Sequence, residues 1–227
     1  MASIAERLTQ VRENIDTAMA RYERAPGSVK LLAVSKTRTA REILQVAQWG
    51  QRAFGENYVQ EALLKVDDLA PHKLEWHFIG PIQSNKTRPI AEKFDWVHSV
   101  DSLRLLERFD RQRPEDKPPL NVCIQVNISR EPQKSGISPE KLAEVAQAAS
   151  ELPRLKLRGL MAIPAPEEDV QRQREPFLAL REAMANLHLP ELDTLSMGMT
   201  NDMEAAIAEG STMVRIGTAI FGERYKR

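Results

Sequence analysis

"VKLLAVSKT", residues 29–37, is an apolar run of strand character that stops on a cation, Lys36. A lysine at the edge of a core is desolvated, which disfavours its ammonium form and leaves a nucleophilic amine. The plain alternative is a lysine whose stem lies on apolar surface while its head reaches water. The rest of the chain decides between them.

Seven further short apolar runs follow: "RAFGENY", "EWHFIG", "DWVHSV", "LNVCIQVNI", "LRGLMAI", "DTLSMGM" and "TMVRIGTAIFG". Helical patterns separate most of them. "TAREILQVAQWG" sets Ile43, Leu44, Val46 and Ala47 on one face and closes on Gly50, and "SPEKLAEVAQAASEL" opens on Ser138 with Pro139 at the first helical position. Before the first run, Ile4, Leu8, Val11, Ile15 and Met19 recur at steps of three and four, and "APGS" ends that helix. Strand then helix, repeated, implies parallel pairing. Eight such units after an extra N-terminal helix fit an α/β (β/α)8 TIM barrel better than an open doubly wound sheet, and no G-x-G-x-x-G or P-loop is present. One domain over residues 1–227 is expected.

Composition narrows the function classes. The 227 residues are 42% hydrophobic and 28% charged, with 32 Lys and Arg against 32 Asp and Glu, so no basic excess marks a nucleic-acid binder. The single cysteine, Cys123, precludes an intramolecular disulfide and reads as a small core residue in a reducing compartment. The charged N-terminal segment is not a secretory signal and no stretch is long enough to span a bilayer, so a cytoplasmic protein is expected. His72, His98 and His188 lack metal-ligand spacing. Trp49, Trp76 and Trp96 read as core or rim packing.

In a barrel the chemistry collects at the C-terminal ends of the strands. Those ends carry Lys36; Glu56, Asn57 and Tyr58; Gln83, Ser84, Asn85 and Lys86; Ser99 and Asp101; Asn127 and Ser129; and Arg215. After the seventh run comes "GMTNDMEAAIAEG", where Gly198 permits close backbone approach and Asn201 with Glu204 has the form of a capping box. After the eighth, Gly217 and Thr218 offer further amides, and the loops after strands 7 and 8 are the usual phosphate site of this fold. A lysine facing a phosphate across one rim points to a phosphorylated carbonyl: pyridoxal 5'-phosphate (PLP), or a sugar phosphate held as in a Schiff-base aldolase.

"LLAVSKT", "FGENYVQE", "WHFIGPIQSNK", "KSGI", "RGLMAI", "LSMGMTNDMEAAI" and "STMVRIGTAIFG" together resemble the pyridoxal phosphate homeostasis protein family, of YggS or PROSC type, across nearly the whole chain. The last also resembles a region of alanine racemase, whose N-terminal fold-type III PLP barrel the family is taken to share. The resemblance implies PLP as cofactor, held by Lys36 as a Schiff base, with Arg215 near the pyridine nitrogen. It places Gly217, Thr218, Met199 and Thr200 at the phosphate and Asn57 in the cofactor pocket; many relatives have serine at position 200. Lys134 matches a family lysine thought to lie near the cofactor, although a solvated loop charge is the simpler reading.

An arginine beside the pyridine nitrogen disfavours protonation there and weakens the ring as an electron sink. The sequence ends a few residues past the eighth run, so no second domain is expected to complete a catalytic site. The expected function is therefore PLP homeostasis, buffering or delivering the cofactor to apo PLP-dependent enzymes without efficient catalysis, and a monomer is the simpler expectation. The rival is an amino-acid racemase acting as a lone barrel, which needs a second acid or base from Tyr58, His77 or Lys134. For His77, a hydrogen-bonded barrel histidine is at least as good a reading as a catalytic one.

Overall fold

The computed structural model describes residues 2–131 and 133–223. The strands are β1 (Lys30–Val34), β2 (Ala53–Glu56), β3 (Glu75–Phe78), β4 (Trp96–Val100), β5 (Leu120–Gln125), β6 (Leu155–Met161), β7 (Thr194–Ser196) and β8 (Met213–Ile216), and they close as a parallel barrel in chain order. Closure is made by β1 against β8, where Lys30 pairs with Met213 and Ala33 with Ile216. The helices are α1 (Ile4–Arg21), α2 (Ala40–Gln48), α3 (Val59–Asp68), α4 (Thr87–Lys93), α5 (Leu103–Gln112), α6 (Leu142–Ser150), α7 (Val170–Ala185), α8 (Met203–Ala208) and α9 (Thr218–Phe221). The expected barrel and its preceding helix are both present.

Alternation along each strand separates two interiors. Leu31 and Ala33 of β1 join the large apolar core between sheet and helices, whereas Leu32 belongs to a small cluster with Ala53 and Met213. A second small cluster holds Trp96, Cys123 and Met161. Burial pushes the Cys123 thiol up to about 12, as suits an inert core residue. Leu8, Val11, Ile15 and Met19 of α1 are buried in the large core, each contributing about 1.5–3 kcal/mol relative to exposure. Ser3 and Glu6 form a capping box that starts α1, and Thr39 with Glu42 does the same for α2. Gly159 of β6 has φ +154°, and a Cβ there would lie 1.8 Å from the Thr194 carbonyl oxygen, so β6 and β7 pair this closely only with glycine.

Three local expectations are corrected. Helix α8 is capped at Asp202, not through Asn201 and Glu204; the Asp202 carboxylate accepts from the Met199 amide at 2.6 Å, while Glu204 pairs with Arg21 of α1. Pro139 opens a 3-10 turn, Pro139–Lys141, and α6 begins only at Leu142. Trp49 is exposed at the end of α2, while Trp76 and Trp96 are buried.

Candidate functional site

A cavity of about 180 Å³ opens at the C-terminal mouth of the barrel, lined by Lys36, Asn57, Met199, Thr200, Arg215, Gly217 and Thr218 together with Val34, Arg38, Ile79 and Ile163. All seven residues expected from the sequence therefore meet in one place. The four that sequence reading missed are apolar wall residues and one arginine. Val34 was legible by parity, since it lies two positions before Lys36 and so on the same face of the strand.

Lys36 follows β1 in a turn and is half-buried. The next residue, Thr37, has φ +65°, a left-handed conformation that costs a β-branched residue about 1–3 kcal/mol. The turn is held there from behind the sheet. The Thr37 amide donates to Glu61 Oε1 at 2.6 Å, and Lys65 Nζ donates to Glu61 Oε1 (2.5 Å), Glu56 Oε1 (2.8 Å) and the Ser35 carbonyl (2.9 Å). Ser35 Oγ also donates to Glu56 Oε1, at 2.6 Å. Glu56, expected at the mouth, thus faces α3 and is fully buried; burial raises its pKa against the pull of Lys65 and Ser35. The reason is parity again: Asn57 faces the cavity, so its neighbour points away.

Arg215 forms the cavity floor and is 4% exposed. Its Nη1 donates to the carbonyl oxygen (2.5 Å) and Oγ (2.8 Å) of Ser196, and its Nη2 donates to the Ala162 carbonyl at 2.9 Å. Burial pushes the guanidinium down to about 10, which still leaves it charged at neutral pH. Among the described residues no acceptor takes its Nε–H. Asn57 contributes a buried Oδ1 that likewise lacks a partner among the described residues.

At the other end of the cavity, the backbone of Gly217 runs against β1, where a Cβ would meet the Val34 carbonyl oxygen at 3.2 Å. Gly217 caps α9, whose first amides have no acceptor within the helix. Arg38, also on the wall, donates to the carbonyls of Gly222 and Glu223 and pairs with Glu42.

Other candidates lie elsewhere. Tyr58 is half exposed outside the cavity lining. His77 is fully buried in the barrel interior, bonded to His98 and Glu75. Lys134 pairs with Glu131 at 2.7 Å in the loop after β5, a loop gathered by Asn127 Nδ2 bonds to the carbonyls of Glu131 and Lys134. Among the described residues no helix is long and apolar enough to cross a membrane, and no His, Cys, Asp and Glu cluster is arranged to hold a metal.

The model of the alanine racemase N-terminal domain matches residues 7–225. The chain is 56% identical over 229 residues to a pyridoxal phosphate homeostasis protein of Escherichia coli, covering 99% of this chain and 98% of that one. The chain belongs to the pyridoxal phosphate homeostasis protein family. The member of that name from Pseudomonas aeruginosa is also 56% identical, with 99% and 97% coverage. PipY of Synechococcus elongatus, whose structure has PLP bound, superposes with a TM-score of 0.84 at 39% identity over 97% of this chain and all of its own. Alanine racemase of Corynebacterium glutamicum shares the fold, with a TM-score of 0.71 at 17% identity over 95% of this chain and 62% of that one. In this homeostasis-family barrel, the strand 1 turn and the loops after strands 7 and 8 share the cavity with Asn57, Ile79 and Ile163 from the ends of strands 2, 3 and 6.

Proposed function

We propose that the protein binds PLP at this cavity and serves cellular PLP homeostasis as a buffer or carrier, without efficient catalysis. The residues present suit that group. The mouth offers one amine, Lys36; a lone carboxamide acceptor, Asn57 Oδ1; a buried guanidinium with an unused Nε–H, Arg215; and hydroxyls and amides at Thr200, Gly217 and Thr218. When bound, PLP supplies an aldehyde that condenses with a primary amine and a ring that withdraws electrons.

Lys36 is the residue we assign to hold the aldehyde end, with the Thr37 turn fixing where its amine emerges. Gly217, Thr218, Met199 and Thr200 are assigned to the phosphate, and the contribution is neutral donors more than positive charge. Arg215 is assigned to the heterocyclic nitrogen, beside which a fixed cation would disfavour protonation and keep the ring a weak electron sink.

The observation that carries the non-catalytic reading is the placement of the second acid or base. Tyr58, His77 and Lys134, the three candidates for it, all lie outside the cavity lining, whereas the amine and the phosphate loops share it. Among the described residues, a proton leaving a bound amino acid would meet Lys36, and none of the three candidates for a second acid or base shares the cavity with it. The test is to incubate PLP-loaded protein with a panel of D- and L-amino acids. Racemisation and transamination no faster than with free PLP are expected; Lys36-dependent turnover well above that level contradicts the reading.

A further inference from the structure

A chain of polar side chains runs down the barrel axis from the cavity floor to the opposite rim. Arg215 Nη1 donates to Ser196 Oγ (2.8 Å), Ser196 Oγ lies 2.7 Å from His98 Nδ1, His98 Nε2 lies 2.8 Å from His77 Nδ1, and His77 Nε2 lies 2.5 Å from Glu75 Oε1. Glu75 begins β3 at the N-terminal end of the barrel, where Lys30 Nζ pairs with it at 2.5 Å. Arg215, Ser196, His98 and His77 are buried, and only the Glu75 end reaches solvent.

The chemistry of each group allows one direction of donation. A carboxylate only accepts, so His77 must carry its proton on Nε2. Burial holds both imidazoles below their ordinary pKa, so each is neutral with one donor and one acceptor. His77 Nδ1 therefore accepts from His98 Nε2–H, and His98 Nδ1 accepts from the Ser196 hydroxyl. Ser196 Oγ, its one proton committed, accepts from Arg215. Each bond polarises the next in a low-dielectric interior. His77 is also stacked on Trp96, with ring centres 5.3 Å apart and planes 11° from parallel, which fixes the ring orientation.

We propose that Glu75, at the far rim, is a positioning residue for Arg215. Its charge selects the tautomers of His77 and His98 and the rotor of Ser196, so that Ser196 holds the guanidinium down and leaves its two remaining donors, Nε–H and the second Nη2–H, for the cavity side. The ligand served is one that presents an acceptor nitrogen there. Its identity as PLP rests on the function proposed above, but the order of the chain does not.

The test begins without ligand. Long-range ¹H–¹⁵N spectra of the apoprotein at neutral pH should show both His77 and His98 neutral with the proton on Nε2; a cationic ring or the opposite tautomer at either overturns the proposal with no variant needed. Glu75→Gln keeps an acceptor at the rim but removes the charge and adds an amide donor, so His77 Nε2 is no longer obliged to donate. It should introduce the second tautomer at His98, speed exchange of the Arg215 guanidinium protons, and weaken PLP binding by about fivefold or more, the lower range for coupling between separated sites. It should also move the ¹⁵N shift of the bound pyridine nitrogen, which a merely structural role would leave alone. In a Ser196→Ala background the same change should have no further effect on Arg215 or on affinity. A Glu75→Gln effect confined to His77 overturns the proposal. Failure of the protein to take up PLP, with the histidine order intact, would instead overturn the functional reading alone.

Discussion

Two polar networks reach the mouth of the barrel from opposite sides of the same sheet, and they hold its two poles by different physics. Inside the barrel, Arg215 is held through Ser196, His98 and His77, a relay of neutral groups with a formal charge only at each end. Outside it, the Lys36 turn is held by a compact ion cluster, Glu56, Lys65 and Glu61, tied to Ser35 and Thr37. Every link of the inner network is made once and in one direction. The outer cluster leaves Glu56 Oε2 buried without a partner among the described residues. A neutral relay conveys order over a distance at small desolvation cost, whereas an ion cluster fixes one turn firmly and carries a large penalty if a partner is lost.

The largest expected effect breaks the outer cluster. Lys65→Met strands Glu56 beneath the sheet and should cost about 3–5 kcal/mol in a denaturant titration. Adding Glu56→Gln should recover a large part of that loss, and simple additivity of the two changes would show that the pair does not act as a unit.

The inner relay responds to acid. The unfolded chain binds a proton at each histidine near the ordinary value of 6.5, while burial holds folded His98 well below it and His77 lower too. Between those values the unfolded state carries more protons, so stability should fall as pH drops below 6.5, by about 1.4 kcal/mol per pH unit for each histidine kept neutral. Arg215 and Lys30 oppose protonation of His98, and Glu75 favours it at His77. Glu75 itself, although burial raises its pKa, is held down at about 2 by the His77 bond and Lys30, so its own contribution is lost only at stronger acid, between its ordinary 4.5 and 2. His98→Gln should make the slope below pH 6.5 shallower by about one proton.

The smallest effect sharpens the comparison at the Lys36 turn. Thr37→Gly relieves a left-handed β-branched residue worth about 1–3 kcal/mol but adds about 0.5–1 kcal/mol of chain entropy to the unfolded state. A net gain of about 1 kcal/mol is expected in thermal unfolding. Weaker PLP uptake alongside that gain would show that the strain serves to aim Lys36.

The same contrast explains what could be read in the sequence. Strand and helix periods are local, so the eight runs, the extra helix and the lysine ending the first run were all legible; fold knowledge then put Gly217 and Thr218 on the same rim, and the family resemblance supplied a role for Arg215. Parity along β2 would also have separated inward Asn57 from outward Glu56. The relay was not legible, because its members come from β3, β4, β7 and β8 and meet only through barrel register. The Asn201 and Glu204 pattern misled because α8 starts one residue later, with Asp202 at the cap position; the Asp202 carboxylate turns back to the Met199 N–H, and Glu204 pairs with Arg21 instead.

The central claim is that Lys36 presents its amine to an aldehyde whose phosphate is held across the mouth. Borohydride reduction of PLP-loaded protein followed by peptide mass analysis tests it most directly. The account predicts a single stable pyridoxyl label on the peptide carrying Lys36, lost in Lys36→Ala. A label spread over surface lysines, or one that persists unchanged in that variant, would contradict it.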